Sequence, residues 1–172
     1  MKYVTNIILL TFFSFSTSWA SYILIPMEAE NQKNHLKAYG IAYWVIEQGE
    51  EAYWLLNYEG GAFAFPHNSV FEQECKIRDV SYRVIPNAQF AAIRSEISDP
   101  EMNQEVIKLE KSPKIAVYTP NFNARGERIQ PWDDAVTMVL TFAEIPYDKI
   151  YDRDVLEGKL AEYDWLHLHH ED

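Results

Sequence analysis

The chain has 172 residues, 48% apolar and 15% aromatic, which suits one packed domain, or one and part of another, and excludes a disordered polymer. Its formal net charge of −11 argues against nucleic acid as a partner, because that binding needs clustered Lys and Arg. A single cysteine, Cys75, excludes an internal disulfide.

Residues 1–20 have the grammar of a secretory leader. Lys2 supplies a positive start, Ile7 to Phe15 an apolar stretch shorter than the ~20 residues of a membrane span, and Ser18-Trp19-Ala20 a small-x-small cleavage site. The expectation is an exported mature chain from Ser21, periplasmic or extracellular, with no membrane span left after cleavage.

Tyr22 to Pro26 reads as a strand apolar on both sides. A helix is expected from about Glu30 to Gln48, with Gly49 ending it. Ala52–Asn57 and Ala62–Phe65 form two strands joined by a turn at Gly60-Gly61. Asn68 or Ser69 caps a short helix to Arg78, which carries Cys75 beside Glu72 and Glu74. Those acids raise a thiol pKa, so Cys75 reads as structural. Val80–Ile85 is a strand, Asn87 caps a helix through Ile97, and Glu101–Leu109 resumes a helical pattern after Asp99-Pro100.

Lys111-Ser112-Pro113 reads as a joint, giving two units, 21–112 and 113–172. In the second, Lys114–Thr119 is a strand and 121–130 a polar loop. Pro131-Trp-Asp-Asp134 opens a helix, with the two carboxylates placed by the helix dipole. Tyr147–Tyr151 is a strand, Asp154–Leu160 a short helix or turn, and Asp164–His169 a final buried strand. Strands alternating with helices imply an α/β fold with a mostly parallel sheet flanked by helices. Ending on an apparently central strand, that sheet reads as incomplete at its C-terminus.

Ligands of such sheets bind outside the carboxyl ends of the strands. Here those ends carry Tyr118 and Thr119 and the run His167, His169, His170, Glu171 and Asp172. His170 and Glu171 are the candidate proton-transfer pair. Tyr118, Thr119, His169 and Asp172 are candidate ligand contacts. His167 and His169 share a strand face. With a nearby carboxylate they could hold Zn²⁺, or they could be hydrogen-bonded core groups. No metal and no cofactor is assigned. Tyr39, Tyr43, Trp44, Tyr53 and Trp54 could form a sugar-stacking face, although their spacing suits core and interface better.

Lys37-Ala-Tyr-Gly-Ile-Ala-Tyr-Trp44, Trp54-Leu-Leu-Asn-Tyr-Glu-Gly-Gly61, Pro113-Lys-Ile-Ala-Val-Tyr118, Pro131-Trp-Asp-Asp-Ala-Val136 and Asp164-Trp-Leu-His-Leu-His-His-Glu-Asp172 together resemble a family of exported Bacteroidetes proteins labelled asparagine synthetase B. The resemblance spans the mature chain. It implies a flavodoxin-like, class I glutamine amidotransferase-like fold and a protein that continues past Asp172. The chemistry in the label does not fit these residues. Lys2 stands where glutamine-hydrolysing synthetases resemble one another in an N-terminal Cys, and no Ser-Gly-Gly-x-Asp-Ser loop is present for ATP. No Gly-x-Cys-x-Gly or Gly-x-Ser-x-Gly elbow occurs either. The expected function is an exported hydrolase or binder of a small polar or cell-envelope ligand. The alternative is a non-catalytic envelope scaffold or interaction module.

Overall fold

A computed structural model describes residues 21–120, 122, 125–128 and 134–168. The leader reading for 1–20 lies outside them.

The chain opens with β1 (Ser21–Ile25), whose alternation sends Ile23 and Ile25 into one core and Leu24 into another. Helix α1 (His35–Glu47) is capped by the Asn34 side chain, which accepts from the Lys37 amide at 3.4 Å. It ends in a Schellman turn: Gly49, at φ +83°, donates to the Ile46 carbonyl at 2.9 Å and Glu50 to that of Val45 at 3.3 Å. Strands β2 (Ala52–Leu56) and β3 (Ala62–Pro66) form the expected hairpin.

Next comes α2 (Ser69–Ile77), with the Asn68 side chain accepting from the Val70 amide at 2.8 Å. Strand β4 (Arg83–Pro86) and helix α3 (Asn87–Ile97) follow. Asn87 does not cap α3. Pro86 holds the cap position in extended backbone, and Asn87 is the first helical residue. The expected helix over Glu101–Leu109 is instead a strand, β5 (Glu105–Leu109), paired antiparallel with β2. Val106 and Leu109 fit a helical stripe, but Val106 faces the core that α3 covers, while Leu109 faces the core that α1 covers.

These five strands make one sheet in the order β4-β1-β3-β2-β5, antiparallel at every pairing. The mostly parallel, flavodoxin-like or class I glutamine amidotransferase-like sheet is therefore overturned for the main body of the protein. The reason lies in the crossovers. Each helix does join two strands of the same direction, but those strands are not neighbours. Between β1 and β2 sits β3, and between β3 and β4 sits β1. The run from β1 to β4 thus has the split βαβ, ferredoxin-like order. Helices α1 and α2 cover one face over Ile23, Ile25, Phe63 and Phe65, and α3 covers the other over Leu24, Leu55 and Ala64.

Parallel pairing is confined to a second, three-stranded sheet. Strand β6 (Ile115–Tyr118) leads to α4 (Ala135–Ala143) and β7 (Asp148–Ile150). Helix α5 (Asp152–Leu156), a 3-10 turn (Lys159–Glu162) and β8 (Trp165–Leu168) complete it. The order is β7-β6-β8. Strand β8 is not buried: it pairs with β6 alone among the described residues, and Trp165 and Leu168 are 44% and 63% exposed. Residues 131–133 lie outside the described chain, and α4 starts one residue after Asp134.

Helix α1 also joins the two sheets, because its other side packs on α4. A Cβ on Gly40 would lie 1.7 Å from the Ala143 carbonyl oxygen, so the two backbones touch there and only glycine fits. Around that crossing Lys37 and Arg78 both pair with Glu144, and the Tyr43 hydroxyl donates to the Pro113 carbonyl at 2.8 Å. Among the described residues no helix is long and apolar enough to cross a membrane.

Candidate functional site

From β6 the chain moves to β7 on one side and then returns past β6 to β8 on the other. Strand order therefore reverses at β6, and in open α/β sheets such a reversal is where ligands bind, outside the carboxyl ends of the strands. The pairing of Val117 with His167 and of Tyr118 with Leu168 sets which side chains share a face. His167 lies with Val117 on the α4 side. Leu166 and Leu168 lie with Tyr118 on the α5 side.

On the α4 side, His167 Nε2 meets Asp134 Oδ2 at 2.5 Å. The aspartate has two roles. Its Oδ1 accepts from the Thr137 amide at 2.8 Å, capping α4, and its Oδ2 holds the imidazole. Both side chains are largely enclosed, His167 20% and Asp134 13% exposed. Burial presses the Asp134 carboxyl upward, but the Thr137 amide and the His167 ring outweigh it and hold it down to about 2. An ionised carboxylate can only accept, so the ring donates from Nε2. Among the described residues Nδ1 has no hydrogen-bond partner.

Thr119 follows β6 directly, and its amide extends the ladder to the Ile150 carbonyl at 3.0 Å. Strand alternation puts its side chain on the same side as Val117 and His167. Thr119 is 2% exposed, and its Oγ1 has no hydrogen-bond partner among the described residues. A buried hydroxyl without a partner costs ~1–3 kcal/mol, so it marks a place where a polar group is due. Thr119, His167 and, through its bond to the ring, Asp134 thus share the α4 face of the small sheet.

Tyr118 stands apart from Thr119. Its hydroxyl donates to Asp152 Oδ1 at 2.6 Å, and its ring lines an apolar hollow of about 310 Å³ with Val155, Leu156, Leu160, Leu166 and Leu168. His169, His170, Glu171 and Asp172 lie outside the described residues. Among those that are described, no group of three or more metal-ligating side chains occurs.

The Asp134–His167 pair was not assigned to the site from sequence. Helix-start electrostatics explain Asp134 without it, and a partner 33 residues away leaves no local pattern. The aromatic set is dispersed. Trp44 and Trp54 pack on the core under α1 and α2, Tyr53 packs on the opposite core, and Tyr43 joins the small sheet's core. Cys75 is fully buried, and burial, then the Glu72 charge, push its thiol up to about 12.

No family model, no curated protein and no solved structure matches this chain.

Proposed function

We propose that this chain is an exported protein of the family labelled asparagine synthetase B that binds a small polar ligand of the cell envelope. Its site is the mouth between β6 and β8, on the α4 side. The observation that carries this reading is the imidazole of His167, held through Nε2 by the ionised Asp134, on the same sheet face as the buried hydroxyl of Thr119, which has no partner among the described residues. Asp134 fixes the ring so that Nδ1 presents a lone pair to the mouth. Thr119 donates or accepts one hydrogen bond to the ligand. A base held in this way can also take a proton from water or from the ligand, which is the hydrolytic form of the same reading. His169, Asp172, His170 and Glu171 are proposed to complete the contacts, with the last two sharing the proton.

The test is a thermal-shift screen of small amides, amino sugars and sugar acids against wild type and His167→Gln. The reading expects at least one compound class to raise the melting temperature of wild type and not of the variant. Equal shifts in both proteins would remove His167 from the site.

A second reading, the non-catalytic interaction module, has its own support. Leu156 and Leu168 are 87% and 63% exposed around the apolar hollow on the opposite side of the sheet. Under that reading His167→Gln leaves every measured association unchanged.

A further inference from the structure

Helix α4 is flanked by two carboxylates, Asp134 directly before it and Glu144 directly after it. Asp134 stands where a cap belongs. Glu144 does not, on two counts. Its backbone is left-handed, at φ 60°, a conformation that helix ends ordinarily give to glycine. Its charge also lies at the negative end of the helix dipole, where a cation is favoured. Two local rules broken at one residue call for a compensating gain.

The gain lies in what the Glu144 carboxylate reaches. Lys37 Nζ of α1 meets its Oε1 at 2.5 Å, and Arg78 Nη2, at the end of α2, meets its Oε2 at 3.3 Å. Both cations are enclosed, Lys37 16% and Arg78 9% exposed, while Glu144 is half-exposed. Arg78 also bonds Glu74 at 2.9 Å, and its Nη1 is buried with no hydrogen-bond partner among the described residues. Lys37 makes no second ion pair among the described residues, and its ammonium lies 4.9 Å from the centroid of the Phe142 ring on α4. Removing the Glu144 charge therefore leaves one enclosed cation without an anion and the other short of a further acceptor. The backbone contact of Gly40 with Ala143 fixes a point on α4, and two ion pairs from two different helices also fix its rotation about that point.

We infer that Glu144 is a positioning residue: α1 and α2 hold α4 by its carboxylate, and α4 in turn holds Asp134 against His167. The helix between the two carboxylates has nine residues, roughly 13 Å at 1.5 Å per residue, and moves as one short rod. A turn of α4 at its Glu144 end carries Asp134 with it, and strains the bond to His167 Nε2. The antiparallel sheet, through its helices, thereby supports a site carried by the small one. The inference rests on the proposed function for its purpose, since the site positioned is that mouth.

The test is hydrogen exchange of the whole chain with water under native conditions, read at the His167 Nε2 proton and at the Ile93 and Ile97 amides of α3. Glu144→Gly keeps the left-handed turn at no backbone cost. In that variant the ring proton should exchange roughly tenfold faster, the scale of one lost charge-assisted bond. The α3 amides should keep their rates, whereas a general loss of stability would raise both together. Glu144→Gln and Lys37→Met should act in the same direction as Glu144→Gly, and Glu144→Asp should recover part of the protection. The inference is overturned if Glu144→Gly matches wild type, if ring and α3 protons quicken together, if Glu144→Asp is no better than Glu144→Gln, or if wild type shows no protected Nε2 proton. No ligand enters this measurement, so an empty thermal screen would sink the proposed function without touching the positioning role.

Discussion

His167 lies on β8 and Asp134 caps the start of α4, and His167 Nε2 and Asp134 Oδ2 lie 2.5 Å apart. One carboxylate therefore caps the start of a helix and orients an imidazole at the same time. Replacing Asp134 by Ala removes both functions and should destabilise the protein by about 1–2 kcal/mol, the scale of a lost cap. Asp134→Asn keeps an oxygen for the Thr137 amide, because Asn caps about as well. It should cost less than Asp134→Ala in a urea titration while still weakening ligand binding at the mouth. If both variants lose equal stability, the cap is not the main structural role of Asp134.

The same carboxylate gives the fold an acid limit. Its native pKa is held down to about 2, below the ordinary value of 3.8. The stabilisation it provides is therefore complete above the unfolded value and is lost as pH falls through 3.8 towards 2. Its size is on the order of 1–2 kcal/mol after solvent screening. Glu72 adds to the loss over a similar window. The His67, Lys76 and Tyr82 side chains bond its carboxylate and hold it down to about 2 from 4.5. Urea midpoints of wild type and Asp134→Asn should converge as pH falls from 5 to 2. Parallel curves would show that Asp134 is not the titrating group.

Gly40 is the point on which the two sheets turn. A methyl group there lands 1.7 Å from the Ala143 carbonyl oxygen, which is backbone and cannot step aside alone. Gly40→Ala should destabilise by about 3 kcal/mol or more, at the upper end of overpacking costs. Gly49→Ala, at φ +83° with open space around it, should cost only about 1 kcal/mol from backbone strain. Differential scanning calorimetry separates the two. Equal losses would mean that the α1–α4 crossing yields easily.

Cys75 is fully buried and its thiol is pushed up to about 12, so it is protonated and shielded at neutral pH. An aromatic disulfide reagent should label it only at the rate of unfolding, and labelling should accelerate sharply across the denaturation transition. Rapid labelling of the native protein at pH 8 would contradict its burial against α1.

Local chemistry was readable in this chain wherever one residue type decides a local geometry. Asn68 caps α2, Gly49 closes α1, and Gly60 and Gly61 lie in the β2–β3 turn at φ 75° and 91°. Sheet neighbourhood was not readable. Strand, helix and strand in sequence specify that the chain returns, but not that β3 inserts between β1 and β2. Segment 101–109 misled for a related reason. Val106 and Leu109 are three apart and apolar, which satisfies a helix, and only pairing with β2 shows that they face opposite sides. At the mouth, Tyr118 and Thr119 were legible as strand-end residues, but their division between two faces follows from alternation around Val117. The bond between His167 and Asp134 is a product of the β6–β8 register and the start of α4 together, and no sequence spacing encodes it.

The proposed site requires that Asp134 leave Nδ1 of His167 open to a ligand. The most direct measurement is a long-range ¹H–¹⁵N spectrum of the His167 ring, recorded with and without the compound that most stabilises wild type in the thermal screen. A ring protonated at Nε2 is expected, with the bare Nδ1 resonance moving when the compound is added and Asp134→Asn disturbing both. A ring protonated at Nδ1 and bare at Nε2, or an Nδ1 signal that stays fixed while the compound binds, would rule the proposed site out.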